Sequence, residues 1–377
     1  MVTPLVLGTM ASQALLVVLA PTIVAISRDL DSSVATVGQA RSVTAAVSIV
    51  VSVALIVRGE ALTVSRQLLV GSALTPLACG AVAMSNATSA FLAAHVLVGL
   101  AFALLLSAGF AGIAAFSPED RAWATGYVVS ANALAWIVVN PLAANLTEHV
   151  SWRAAQAVPA AVALAALFTV RQVGDLPRTG VRLRLWEPLA VPGARRWMGA
   201  ELVGFATWTA LITFAGAFVI ERTGASEPAA GWVLAAAAAA YFVAATRTGW
   251  LNRRVSRQHR VILASLAMAA LLPLMLGLTH STATTAMVFC VIGLTAGIRT
   301  PASASIGLDQ LPGHPGAMMA ARTATTQLGY LVGALFGGAL IAGPGYGALG
   351  GVLAGGMVLS AWLVHRVDEP AYTEGKK

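Results

Sequence analysis

Four ionisable side chains stand inside long apolar runs: Arg41, His95, Glu201 and Arg299. Such a group costs at least about 2.5–3.5 kcal/mol in hydrocarbon, so each requires a partner or a wet cavity. His95 can exchange a proton near neutral pH. It reads either as a proton-coupling group or as a neutral imidazole bonded between helices. Arg299 precedes Thr300-Pro301, a pair that loosens a helix locally. It reads as a site for an anionic or carbonyl-bearing solute, or as the cation of a gate-like pair with Glu201. Glu201 is that partner, or else an interfacial carboxylate that stays in water. Arg41 lies near one end of its run, where a long side chain can snorkel to the surface; the alternative is a gating role. Polar and aromatic groups at comparable depth can stack on a solute and hydrogen-bond it: Gln13, Asn132, Trp136, Thr207, Trp208, Thr209, Tyr241, Gln327 and Tyr330. The stretch around Trp208, with Phe205, Phe214 and three threonines, is the best candidate pocket wall. The deep groups are mostly basic or titratable and the first apolar run has no acid, so a neutral or anionic solute suits them better than a cation.

What positions these groups is lipid. Apolar residues make up 58% of the chain and charged residues only 10%, against about a quarter charged in soluble chains. The latter share cannot cover a water-exposed surface of this size. A spanning helix needs roughly 20 apolar residues. Twelve stretches qualify: 4–26, 36–57, 67–85, 89–115, 121–145, 154–171, 197–220, 228–249, 260–279, 283–308, 318–342 and 345–366. They are rich in Ala, Gly, Ser and Thr, which allow helices to approach closely in lipid. No ten-residue alternation of the β-barrel kind occurs. The expected fold is therefore all-α, and the first stretch reads as a span rather than a cleaved signal. With the N-terminus inside, eighteen of the 23 basic residues fall on the cytoplasmic side, Arg322 among them, and three outside; Arg41 and Arg299 lie within spans. This bias places both termini in the cytoplasm and accounts for the +8 charge without nucleic acid. Cys79 and Cys290 are isolated in apolar runs, so no disulfide scaffold is expected. No metal spacing, catalytic triad or nucleotide loop is present; neither enzyme activity, metal nor cofactor is expected.

The longest polar connection, 172–196, divides six spans (1–171) from six (197–377). Val64-Ser65-Arg66-Gln67 recurs as Val255-Ser256-Arg257-Gln258, and Gly99-Leu100 and Pro118 recur as Gly293-Leu294 and Pro312. Parallel six-helix halves are a transporter architecture, with the site at their interface near the bilayer midplane.

At Gly249 to Arg260 the chain reads Gly-Trp-Leu-Asn-Arg-Arg-Val-Ser-Arg-Gln-His-Arg; Ser151-Trp152-Arg153 opens the sixth span; Asn140-Pro141-Leu142-Ala143-Ala144 lies in the fifth; and Leu308-Asp309-Gln310-Leu311-Pro312-Gly313 precedes Gly329 and Gly333. In order and spacing these resemble the loop, helix-6, helix-5 and helix 10–11 motifs of the major facilitator superfamily, and within it the drug/proton antiporter and sugar-efflux group. The resemblance covers nearly the whole chain. It implies twelve helices in two pseudo-symmetric six-helix bundles that rock about a central site. There are departures. The loop acid that latches one state in the family is Arg253 here, leaving Glu60 as the nearby carboxylate of the first half. The helix-4 arginine linked to proton coupling is His95, and the helix-5 efflux glycines are largely replaced.

The expectation is a monomeric plasma-membrane exporter of a small organic solute, a drug, antibiotic or sugar-like metabolite, exchanged for protons. Its solute-facing residues would be Gln13, Asn132, Trp136, Thr207, Trp208, Arg299, Gln327 and Tyr330; coupling and gating would fall to His95, Glu201, Glu60 and Arg41. An importer or facilitator on the same fold, or a non-transporting membrane sensor, are the alternatives.

Overall fold

Side-chain caps start several of the helices. Thr63 accepts from the Arg66 amide, Ser151 from Ala154, Ser256 from His259 and Ser281 from Thr284, each satisfying one of the amides that a helix start leaves unpaired. The computed structural model describes residues 2–57, 62–117, 120–173, 187–247, 254–311 and 315–367. Glu60, loop residues 248–253, Pro312 and 174–186 of the linker lie outside the described residues. Among those described there are helices and no strands.

The helices form twelve rods in chain order. In the first half they are α1 (Val2–Val17, then Leu19–Asp29 after a 40° bend), α2 (Val34–Val57), α3 (Val64–Ala83), α4 (Thr88–Ala111), α5 (Arg121–His149) and α6 (Trp152–Ala155, then Ala157–Thr169). In the second they are α7 (Pro192–Thr223), α8 (Glu227–Arg247), α9 (Arg257–Pro273, closed by a π-helical turn Leu274–Leu278), α10 (Thr282–Asp309), α11 (Pro315–Ala342) and α12 (Tyr346–His365). Ten are long and apolar enough to cross a membrane, or eleven with bent α1 counted as one span. The remaining rod, α3, opens on Arg66 and Gln67. The sequence boundaries shift at several ends. Gly224, at φ 69°, ends α7 in a left-handed cap beyond the anticipated residue 220, a conformation glycine adopts without strain.

Each half repeats one pairing scheme. In the first, α2 packs on α4, α1 on α5 and α6, and α3 on α4 and α6. In the second, α8 packs on α10, α7 on α11 and α12, and α9 on α10 and α12. Adding six to each helix number of the first half gives the second, as two pseudo-symmetric bundles require. The halves meet through α2 against α11, α5 against α8, and the latter part of α1 against α7.

Those meetings are backbone-close and concentrated toward the end of the bundle away from the chain's two ends. A Cβ on Gly216 of α7 would lie 2.0 Å from the Ala20 carbonyl oxygen. One on Gly231 of α8 would lie 2.5 Å from Ala144 Cβ, and one on Gly338 of α11 would lie 3.0 Å from the Ala35 oxygen. Gln39 of α2 donates to the Ala334 carbonyl of α11 at 3.4 Å. Arg28 and Glu227 add an ion pair between the halves at 3.9 Å. At that same end Trp152 Nε1 and Arg153 Nη1 both donate to Asp29, at 3.1 and 2.6 Å, and Arg153 also reaches the Ser85 carbonyl. The Trp-Arg pair thereby ties α6 to α1 and α3.

Candidate functional site

The second half encloses a charged centre. Glu201 enters α7 nine residues from its start, about 14 Å along the axis, and Arg299 sits at a similar depth in α10. Glu201 is 0% exposed and Arg299 5%. One Glu201 oxygen accepts from Arg299 Nη1 at 3.4 Å and from Ser303 Oγ at 2.8 Å; the other accepts from Arg322 Nε at 3.2 Å. The remaining Arg299 donors go to Ser265 Oγ of α9 at 3.1 Å, Ser360 Oγ of α12 at 2.9 Å and the Ala200 carbonyl at 3.4 Å. Trp197 Nε1 donates to the Ser303 carbonyl at 2.8 Å. Four helices besides α7 therefore converge on two residues.

Of the two sequence readings of each, the structure brings Glu201 and Arg299 together, and the reading of Glu201 as a water-exposed interfacial carboxylate is overturned by its complete burial. Arg322, counted from the sequence with the cytoplasmic cations, turns inward from α11 to share the same carboxylate. Gly204 leaves room for this arrangement: a Cβ there would lie 2.3 Å from Arg299 Nη2, so a larger residue one turn beyond Glu201 would push the guanidinium from its present place.

Beside this centre is a small cavity of about 40 Å³, lined by Gly204, Phe205, Trp208, Tyr241, Arg299 and Thr300 together with three apolar side chains. It is large enough for no more than a few waters. Trp208 and Tyr241 lie with ring centroids 6.0 Å apart, and Arg322 lies 5.6 Å over the Phe205 ring. Phe205 meets Tyr330 edge to face at 6.1 Å, which leads from the cavity to the seam between the halves. Thr207 does not face this cavity; it is buried, and its hydroxyl packs on Gly356 of α12.

At that seam a second polar cluster gathers residues from both halves. Trp136 Nε1 donates to Gln13 Oε1 at 3.4 Å, and Arg41 lies over the Trp136 ring at 5.9 Å. Tyr330 from α11 and His95 from α4 stand within electrostatic range of Arg41. The expectation that Arg41 snorkels outward is wrong: the side chain is 3% exposed, because the aromatic face and the closed seam hold it inside. His95 Nδ1 lies 2.8 Å from the Phe91 carbonyl on its own helix, with the Phe91 ring 4.5 Å away. That is bonding along one helix and not between two. Asn132 is half-buried one turn before Trp136; Gln327 is buried and its Oε1 has no hydrogen-bond partner. Glu60 falls outside the described residues. An ion pair legible only in the structure, Arg257 to Asp309 at 2.6 Å, links α9 and α10 where the repeated Val-Ser-Arg-Gln begins α9.

Summed over both clusters, three buried or half-buried guanidiniums (Arg41, Arg299, Arg322) face one carboxylate, Glu201. With His95 neutral these two clusters together carry an excess of two positive charges among the described residues.

Comparison with known proteins bears on the whole chain. The family model described as Major Facilitator Superfamily matches residues 5–193 and 197–377. The crystal structure of a D-xylose-proton symporter superposes with a TM-score of 0.79 over 98% of this chain and 97% of that one, at 15% sequence identity. A search of curated proteins finds no match.

Proposed function

From the premise that the chain belongs to the Major Facilitator Superfamily, and is thus a multi-pass membrane transporter, we propose that it exports a small organic solute, neutral or anionic, in exchange for protons. The halves 1–171 and 197–377 rock about the seam, with 172–196 as their cytoplasmic linker, and the protein works as a monomer in the plasma membrane with both termini in the cytoplasm. The observation that supports this reading is Glu201, a fully buried carboxylate shared by Arg299 and Arg322 beside a small cavity of the second half. Ionised, it holds α7, α10 and α11 together; protonated, it gives up its attraction for both guanidiniums, and the three helices are free to shift. Proton uptake is thereby tied to a rearrangement at the half interface, as alternating access needs. Trp208, Tyr241, Phe205 and Tyr330 supply the stacking surface, and Gln13, Asn132, Trp136 and Gln327 the hydrogen-bonding one. His95 lies within electrostatic range of Arg41 on the first-half side of this cluster.

The reading is tested by flux of candidate solutes in inverted and right-side-out vesicles with an imposed pH gradient. Solute should accumulate against its gradient in inverted vesicles with an acidic interior, and accumulation should collapse with a protonophore. Uptake driven in the right-side-out orientation by an acidic exterior favours import by symport, the second reading, which the Ala143-Ala144 replacement of the helix-5 glycines keeps open. Saturable binding without any flux removes transport altogether.

The pair makes a separate prediction. Glu201→Arg and Arg299→Glu are each expected to reduce driven flux to background, because like charges then face each other within a dry bundle. The double reversal should recover a measurable but partial fraction, since Arg322, which contacts position 201, then faces an arginine there. Failure of the double variant to exceed either single one, at equal folded yield, argues that the two groups act apart.

A further inference from the structure

The two most deeply buried arginines among the described residues, Arg41 and Arg299, differ in how their donors are met. Arg299 spends its Nε and Nη2 on Ser265, Ser360 and the Ala200 carbonyl, and its Nη1 on Glu201. Arg41 is equally buried, yet its Nε and Nη2 have no hydrogen-bond acceptor, and no ion pair involves it among the described residues. A buried charged donor left unmade is expensive, and proteins retain such a group where a ligand completes it. The two orphaned atoms form the side-on edge of the guanidinium, whose parallel N–H groups match the two oxygens of a carboxylate. The Trp136 ring lies beside the guanidinium, its centroid 5.9 Å from Cζ. The fork belongs to α2, which packs on α11 across the seam, and stands two residues beyond Gln39, whose side chain donates to the Ala334 carbonyl there. When the halves part there, the fork is bared.

Resting on the transport reading above, we propose that Arg41 is the docking point for the carboxylate of a small organic anion, whose flat body lies between Trp136 and Tyr330 at the half interface. The bound anion offsets one of the two excess positive charges, and the excess itself sets the sign of the solute. A neutral sugar offers no bidentate acceptor of this strength and leaves the fork unsatisfied.

The probes are benzoate and its uncharged isostere benzamide, titrated into purified protein in detergent and followed by thermal midpoint and tryptophan fluorescence. Benzoate should raise the midpoint of the unaltered protein in a concentration-dependent manner, and benzamide should not. In Arg41→Gln the benzoate affinity should fall about tenfold to a hundredfold, the range of a charged hydrogen bond. Arg41→Lys, which keeps the charge without the fork, should lie between. Without ligand the Arg41→Gln midpoint should be unchanged or higher, since an unpaired buried charge is removed, so the variant remains assayable. Equal benzoate binding in Arg41→Gln, or equal response to benzamide, overturns the assignment, as does the lack of any response to benzoate. If benzoate binding follows Arg41 while no solute crosses the vesicle membrane, the transport reading fails and this one stands. Flux of uncharged solutes alone, unaffected at Arg41, leaves transport intact and sinks the docking point.

Discussion

Glu201→Gln is expected to abolish proton-driven flux while solute exchange across equilibrated vesicles continues. The substitution is nearly isosteric, so Ser303 Oγ can still donate to the side-chain oxygen at close to its present 2.8 Å. What disappears is the negative charge that Arg299 and Arg322 share. An amide cannot gain or lose a proton, so the shift of helices that follows protonation loses its trigger, whereas the solute-dependent rocking measured by exchange does not need it. The same change leaves two guanidiniums in a dry bundle without their counter-ion. Removing one partner of a buried ion pair typically costs about 3–5 kcal/mol, so the thermal midpoint in detergent should fall clearly. The two readouts separate the roles. A variant that is destabilised yet still accumulates solute against its gradient would leave Glu201 a structural acid and move coupling elsewhere. Replacing Arg322 as well should restore part of the stability, since one unpaired cation is removed, but none of the driven flux.

The span count and the half-and-half plan were legible in composition and spacing because hydrocarbon thickness sets a length that the sequence must meet. Depth along a span was legible for the same reason: Glu201 and Arg299 stand at matching distances from the ends of α7 and α10, and they do meet. Rotation about the axis was not. A span such as α4 is apolar on nearly every side, with no polar stripe to say which face looks inward. Arg41 therefore read as a snorkelling residue when it faces Trp136, and Arg322 read as a loop cation when it turns back to Glu201. Small residues carry the missing information, because close contacts are glycine contacts. Gly204 stands one turn from Glu201 with room for only the Arg299 guanidinium on its surface. The break in α1 at Val18 has its signal in Pro21, which has no amide to donate to the Val17 carbonyl four residues back; the carbonyl of Ala20, between the break and that proline, approaches Gly216 of α7.

That last contact yields the second large effect. Gly216→Val should leave the protein folded but unable to complete the transport cycle, held open at the end of the bundle away from its termini. A Cβ at 216 would stand 2.0 Å from the Ala20 oxygen and 2.8 Å from its carbonyl carbon. Both are backbone atoms, so no side chain can rotate aside and the two halves must separate at this level. Within each half the packing schemes do not involve this contact, so the six-helix bundles should persist. The polar links at the same end, Gln39 to Ala334 and Arg28 to Glu227, and the close packing of Gly231 on Ala144 and Gly338 on Ala35 lie on other helix pairs and must loosen with it. An impermeant maleimide reports the result on a cysteine introduced at Ala35, which packs against Gly338 in the closed seam, in a background with Cys79 and Cys290 replaced. Labelling should rise on the order of tenfold, the change that about 1.4 kcal/mol of bias toward the open arrangement produces, and net flux should fall in parallel. Gly224→Val, at a residue with open space around it and a strained φ of 69°, provides the contrast: it should lower stability without changing Ala35 access. If Gly216→Val transports normally and Ala35 stays protected, the seam closes without the backbone approach of α7 to α1, and the gate must be sought at α2 and α11 alone.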